Sequence, residues 1–355
     1  MSQPNVTIVV SPRERFSFTQ QNLESIYAHT AIPFSLIYVD GGSPANIQRY
    51  LMAQAQVKGF KLIRTEQYLA PNQARNLAIP HVNTRYLLFI DNDVVVSPGW
   101  LDHLLQCAEE TGAAIVCPLT CIGKELHQTI HLAGGEARIL EEETEKGIKR
   151  KVHEKHYFVN RPVADVRDQL QRQQCEFAEF HCMLVQADVF RQVGLLDEGL
   201  LSTREHIDFC LSVTQAGGTV FCEPASVVTY VPELQFNLAD LSFFLLRWSD
   251  AWEIASLEHF SHKWNLSQKD RYFKKRYERL GHRRHKAFLK PLLRRLTLGR
   301  HSPKLEQWAI TIERSLNRWI SDRHAKHLIN SQIPHQVLNF ERSEPVPEKV
   351  LSFEC

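Results

Sequence analysis

The segment Tyr86-Leu87-Leu88-Phe89-Ile90-Asp91-Asn92-Asp93 constrains this chain more than any other. Its five apolar residues run without a break into two carboxylates one residue apart. Such a run reads as a strand buried on both faces, as in the middle of a parallel sheet. Ligands of open α/β sheets gather at the carboxyl ends of such strands. Two Asp side chains held there, with no basic residue between them, repel one another unless a cation sits nearby. Their oxygens suit hard divalent ions such as Mg2+ and Mn2+, which complete their shells with phosphate oxygens and water. The segment points to a metal-bridged phosphate ligand; the plain alternative is a strand that ends in an acidic turn.

The flanking sequence alternates strand and helix. Strands are predicted at 6–10, 35–39, 60–63 and 86–91, and helices at 18–28, 47–55 and 72–79, with Asp40-Gly41-Gly42-Ser43-Pro44 as a turn. This order predicts an α/β fold with a doubly wound, Rossmann-like sheet. A helix after Pro98 and strands at 113–117, 183–185 and 219–222 extend it. From Thr120 to Gln174 the periodicity loosens. Gly134-Gly135, the acidic run Glu141–Glu143 and the basic run Lys149–Lys151 predict long loops over the sheet. The catalytic domain is expected over 1–232. A helical extension over 233–330 follows, with helices at 238–264, 269–290 and 303–329 and Pro291 separating two pieces, and then a loosely held tail over 331–355.

Charged residues follow the carboxyl ends of three predicted strands. Arg13 and Glu14 come after Pro12, Asp40 ends the second strand, and Asp91 and Asp93 end the fourth. All fall on one edge of the sheet, where carboxylates can accept from a base or ribose while a metal bridges to a diphosphate. Asn72-Gln73-Ala74-Arg75-Asn76 opens the helix before the Asp-rich strand. Its Asn can cap that helix, and Arg75 can reach an anion from the first turn or simply lie in solvent.

Taken together, Ile8-Val9-Val10, Val39–Ser43, Ala74-Arg75-Asn76, Phe89–Asp93 and Leu196-Asp197-Glu198 resemble the motifs of glycosyltransferase family 2, in order and interval, over residues 5–231. The resemblance implies a GT-A fold and transfer of a sugar from a nucleoside diphosphate sugar to a hydroxyl acceptor, a glycan or lipid-linked glycan, usually with inversion. It assigns Asp40 to the nucleotide base, Asp91 to the ribose or sugar and, with Asp93, to the metal, Mn2+ or Mg2+. Pro12, Arg13, Glu14, Arg75 and Asn92 join the nucleotide-sugar set. The family's Glu-Asp-x-Asp-Leu segment corresponds to Glu205-His206-Ile207-Asp208-Phe209. His206 stands where the family's catalytic base is Asp, so Glu205, His206 and Asp208 form the catalytic group, with Glu205 favoured as base. His206 is alternatively a metal ligand or an acceptor contact. Glu179 and His181 precede the strand at 183 and are expected to bond acceptor hydroxyls, or to be satisfied buried groups. His127 and His131 lie in the loosely patterned insertion.

Net charge is +2, but Lys269 to Arg300 holds 13 Lys or Arg against two acidic residues. Phe273, Tyr277 and Leu280 share one helical face within it. That pattern fits an anionic lipid surface, a face packed on the catalytic domain, or nucleic acid, the last being the least expected partner. The eight cysteines show no paired CxxC spacing and several sit in apolar runs, which predicts buried thiols in a reducing compartment. With neither a leader-like start nor a membrane-length run, a cytoplasmic protein is expected, peripheral to the inner face of a membrane if the basic helix binds lipid. A catalytically silent scaffold that binds nucleotide sugar without turnover is the alternative function. A nucleotidyltransferase would need a Gly-rich loop that Ser11-Pro12-Arg13-Glu14 lacks.

Overall fold

The computed structural model describes residues 4–145, 147–232, 238–299, 302–328 and 335–340. Four strands, β1 (Val6–Ser11), β2 (Ser35–Gly41), β3 (Lys61–Thr65) and β4 (Tyr86–Asp91), form its parallel half in the order β4-β1-β2-β3. The apolar run of β4 divides by alternation between two cores. Leu87 and Phe89 enter the cluster on one face, and Tyr86, Leu88 and Ile90 the cluster on the other. A strand covered on both faces has no polar side, so its sequence shows none.

Beyond β4 the direction changes. After the short β5 (Val94–Val96), β6 (Ile115–Ile122) and β7 (Ile130–Leu132) come β8 (Gly135–Thr144), β9 (Gly147–His156), β10 (Gln173–Cys175), β11 (Cys182–Gln186) and β12 (Val220–Tyr230). β11 runs antiparallel between β4 and β6, and β12 runs parallel to β6. The sheet is therefore mixed. This reversal brings the start of β11 to the same edge as the end of β4, with Cys182 opposite Ile90.

The expected loops over 120–174 are instead largely a hairpin. β8 and β9 pair from Gly135↔His156 to Thr144↔Gly147. The acidic and basic runs face each other across it, with Arg150 on Glu141 at 2.7 Å and Lys151 on Glu142. Opposite charges one strand apart are favourable cross-strand neighbours, a pairing invisible while the two runs are read separately. Gly135 seats the hairpin: a Cβ there would lie 2.4 Å from the Phe177 ring and 2.5 Å from the Lys155 carbonyl oxygen. Gly135→Ala is expected to cost about 1–3 kcal/mol through overpacking against backbone. A melting temperature equal to the wild type's would refute that close approach.

The extension is helical but more broken than expected. Leu238–Arg247 and Asp250–Lys263 are separate helices, and the Ser249 hydroxyl caps the second by accepting from the Trp252 N–H. The next helix, Arg271–Glu278, is capped by Arg279, and Gly281 (φ 71°) starts the one after it. Helix then runs unbroken from His282 to Leu296. Pro291 does not separate two pieces. The wider π turn at His285–Leu289 precedes it and accommodates a residue with no N–H to donate. Leu257, Phe260, Trp264 and Phe273 belong to the same core as the sheet, so the apolar face of the basic segment is taken up by the protein itself. Pro303–Leu328 follows. Within the expected tail, β13 (His335–Leu338) pairs antiparallel with β3. Among the described residues no helix is long and apolar enough to cross a membrane, and the seven cysteines Cys107, Cys117, Cys121, Cys175, Cys182, Cys210 and Cys222 are buried and unbridged.

Candidate active site

Parallel pairing puts Ser11 beside Asp91, and the loop after β1 is stapled to the end of β4 by one residue. Asn92 accepts from the Arg13 N–H at 3.1 Å through its side chain, donates to the Arg15 carbonyl at 2.7 Å, and gives its own N–H to the Ser11 carbonyl. Asn92 thus positions its neighbours and is itself fully enclosed. The staple turns Arg13 over the Tyr230 ring and onto Asp91, Nε to Oδ2 at 3.4 Å. Arg75 reaches the other oxygen of Asp91 from the first turns of its helix at 3.1 Å, with its guanidinium over Phe180. The antiparallel β11 supplies the third partner, the His181 Nδ1, 3.4 Å from Asp91 and 3.2 Å from Arg13. Burial opposes ionisation of Asp91, but the His181 hydrogen bond and the charges of Arg75 and Arg13 hold its carboxyl below the usual range. Burial and Arg13 push the His181 imidazole down to about 4, so the ring is neutral near pH 7 and has a lone pair to give.

Asp93 differs from every other carboxylate here. It is fully enclosed and does not line the cavity, and among the described residues neither of its carboxylate oxygens has a hydrogen-bond partner. Burial first, then repulsion from Glu14 and Asp91, push its carboxyl up to about 7. An unpartnered buried carboxylate costs several kcal/mol and is retained where something else uses it. Ligand atoms of Asp91, Asp93 and His181 lie within 4.8 Å of one another. Two carboxylates and a neutral imidazole are a donor set for a divalent ion, and the nitrogen favours Mn2+ over Mg2+.

His181 joins this group to a second one. Its Nε2 is 3.5 Å from Glu179, whose carboxylate also takes the His131 Nε2 at 2.9 Å and lies 4.0 Å from the His206 Nε2. Burial opposes ionisation of Glu179, and His131, His181 and His206 together outweigh it, keeping the carboxyl well below its usual range. Burial lowers the pKa of His206, leaving it a neutral imidazole. Glu205 opens the helix Glu205–Gln215; one oxygen faces Arg247 at 3.3 Å and the other has no hydrogen-bond partner among the described residues. Arg204, just before it, has a left-handed backbone (φ 74°), a strained conformation for a non-glycine residue.

The cavity these groups border has a volume of about 250 Å3. Arg13, Arg75, Asp91, His181, Glu205 and His206 line its sheet side. Its other wall comes from the extension: Arg276, Arg279, Leu280 and Arg283, with Arg247 and Trp248 at the corner. Glu154 of the hairpin ties these walls together, accepting from Arg204 at 2.8 Å, Arg276 at 2.7 Å and the Tyr272 hydroxyl at 2.8 Å. The basic segment thus presents part of its charge inward to an anion-sized cleft. Spacing carried a partial signal for this: 276, 279 and 283 would share a side of one continuous helix, though the helix breaks between them at Gly281.

Other expected residues are elsewhere. Asp40 is enclosed at the end of β2, its carboxylate committed to the Ser43 N–H and hydroxyl at 3.0 and 2.9 Å and to Arg64, so a base contact would have to displace one of these bonds. Glu14 is held by the Tyr230 hydroxyl and Trp248 indole, both at 2.8 Å, and braces the cleft from behind. Pro12 is buried and lines no part of the cavity. Asp208 also lies outside the lining, fixed by Lys263 and the Trp264 indole at 2.8 Å each. His127 bonds Thr229 away from the site at 2.8 Å, whereas His131 joins it.

A family model described as glycosyl transferase family 2 matches residues 7–194. The curated relatives include two pre-mycofactocin glycosyltransferases, from Mycobacterium tuberculosis strains CDC 1551 / Oshkosh and ATCC 25618 / H37Rv. Each is 23% identical over 241 residues, which cover 64% of this chain and 43% of the relative. The chain therefore spans less than half the length of these relatives. Among solved structures, GalNAc-T7 with UDP, GalNAc and Mn2+ superposes with a TM-score of 0.48 at 16% identity, over 81% of this chain and 58% of that one. TarS of S. aureus gives 0.44 at 12%, over 80% and 43%.

Proposed function

The chain belongs to glycosyltransferase family 2, and from that premise we propose that its cleft transfers a sugar from a nucleoside diphosphate sugar to a hydroxyl acceptor, with inversion and with Mn2+ or Mg2+. Asp93 carries the reading: a buried carboxylate with no partner, beside Asp91 and a neutral His181. Asp91, Asp93 and His181 would hold the ion, which would supply charge neutralisation for a departing diphosphate. Arg13 engages Asp91 Oδ2 and His181 Nδ1, and its guanidinium would have to give these up if an ion were held there. It could then turn to a phosphate, and Arg276 and Arg283, held by Glu154 and Glu14, add positive charge across the cleft.

The acceptor hydroxyl would attack the anomeric carbon as the bond to the diphosphate breaks, passing its proton to a base on the opposite side. Glu205 fits this role, with one oxygen anchored by Arg247 and the other unengaged at the cavity wall. His206 sits beside Glu179, which with His131 offers bonds to acceptor hydroxyls. Glu205→Gln is expected to lower kcat about 10^2- to 10^4-fold with donor affinity retained. His206→Asn is expected to cost under about tenfold. The reverse ranking would move the base to His206.

The overall test is incubation with a panel of nucleotide sugars and sugar acceptors, with and without Mn2+. Ion-dependent release of nucleoside diphosphate is expected. Nucleotide binding without turnover for any acceptor would favour a silent scaffold, and absence of ion-dependent binding would defeat the reading.

A further inference from the structure

The helix Pro303–Leu328 is amphipathic, but with its faces reversed. Toward the protein it turns Glu306, Glu313, Asn317 and Ser321. Glu313 meets Arg284 at 2.7 Å and His285 at 2.8 Å, Glu306 meets Lys290 at 2.8 Å, and Asn317 donates to the Leu245 carbonyl at 3.2 Å. Toward solvent it turns Trp308, Ile312, Leu316 and Trp319, which are 64, 47, 55 and 62% exposed. At 3.6 residues per turn these four fall within an arc of about 80°. The adjoining helix Lys290–Leu296 and the turn after it expose Leu292, Leu296 and Leu298. A continuous apolar stripe with two tryptophans, kept outside while polar residues are buried, marks a surface with an external partner.

Charge identifies the partner. From residue 279 to 319 the only acidic residues are Glu306 and Glu313, and both face inward in ion pairs. Lys286, Arg294, Arg295, Lys304 and Arg318 are exposed. A second copy of this chain would bring cations against cations. An anionic lipid surface accepts both features, with tryptophan and leucine at the headgroup boundary and lysine and arginine on the lipid charges. We propose that the exposed faces of 290–298 and 303–319 dock this protein on an anionic membrane surface. The inference does not depend on the proposed reaction. It differs from the expectation built on the face of Phe273, Tyr277 and Leu280, of which Phe273 and Tyr277 pack on the core.

The test is flotation of the full chain with vesicles of phosphatidylcholine alone or with added phosphatidylglycerol. Binding is expected only with the anionic lipid and is expected to weaken with salt. It should be at least about tenfold weaker for Trp308→Ser/Leu316→Ser and for Lys304→Glu/Arg318→Glu, with melting temperatures unchanged because all four side chains are exposed. Trp100, Trp248, Trp252 and Trp264 are buried, so quenching by brominated lipid should vanish in Trp308→Phe/Trp319→Phe, which retains the apolar face. No binding to anionic vesicles, equal binding to neutral ones, or quenching that survives that double change would overturn the proposal. A dimer abolished by Trp308→Ser/Leu316→Ser would also overturn it, in favour of self-association.

Discussion

Asp93→Asn is expected to abolish ion-dependent turnover and yet make the ion-free protein more stable. Both effects have one cause. The buried carboxylate has no donor of its own, so its negative charge is a cost of the empty fold and an asset only when a cation is present. Replacing it with an amide of the same shape removes the charge but leaves a polar group to bury. The net gain is therefore modest, roughly 1–3 kcal/mol. Activity should fall by at least about 10^3-fold, since neutralising a leaving diphosphate is worth several kcal/mol in the transition state. Saturating Mn2+ should raise the melting temperature of the wild type, by mass action, and leave that of Asp93→Asn unmoved. Thermal melts with and without the ion, alongside turnover, decide the matter. A variant that stays active with Mn2+, or an ion-free variant less stable than the wild type, would remove Asp93 from the site.

Glu154→Ala should be the most damaging single change outside the sheet. Its carboxylate is the common acceptor for Arg204, Arg276 and Tyr272 and also takes the His156 Nε2 at 3.0 Å. Removing it leaves two half-buried guanidinium groups facing each other, a loss of about 3–5 kcal/mol. Both arginines line the cleft, so KM for an anionic donor should rise as well. Glu154→Gln keeps the shape and should cost less. Burial opposes ionisation of Glu154, and Arg204, Arg276 and the hydrogen bonds from His156 and Tyr272 overcome it, so its carboxyl titrates far below the usual value of 4.5. The unfolded chain thus takes up this proton first. The stabilisation is complete above pH 4.5 and is lost as pH falls below it. The wild type should therefore lose stability more steeply than Glu154→Gln in that acid range. Parallel curves, or a Glu154→Ala protein that melts like the wild type, would contradict the network.

The legible parts of this chain are those whose physics is local. Alternation within β4 and its acidic end, the helix carrying Arg75, and the turn after β2 could all be read from neighbours in sequence. Asp91, Asp93, Arg13, Arg75 and Glu205 are candidates that this local reading or the family resemblance names. His131 lies in the loosely patterned insertion, and only the pairing of β7 with β6 brings it to Glu179. Arg204, Arg247, Arg276, Arg279 and Arg283 were missed because their meaning depends on elements up to about 270 residues from β1 folding back over it. The reversed helix shows the same limit: its apolar stripe is plain in the sequence, but which side faces the protein is not.

By itself the sequence determined the parallel half of the sheet and the row of charges at its edge. A strand buried on both faces must be apolar throughout and can turn polar only where it leaves the core. Tertiary structure alone decided what those charges face. The antiparallel β11 delivers a neutral imidazole to Asp91, and the Asn92 staple sets Arg13 there as well. Asp93 is left with no partner among the described residues. Long-range pairing also brings the extension's arginines over the cleft. Partnering of a buried charge is a property of the whole packed site, so no local pattern encodes it.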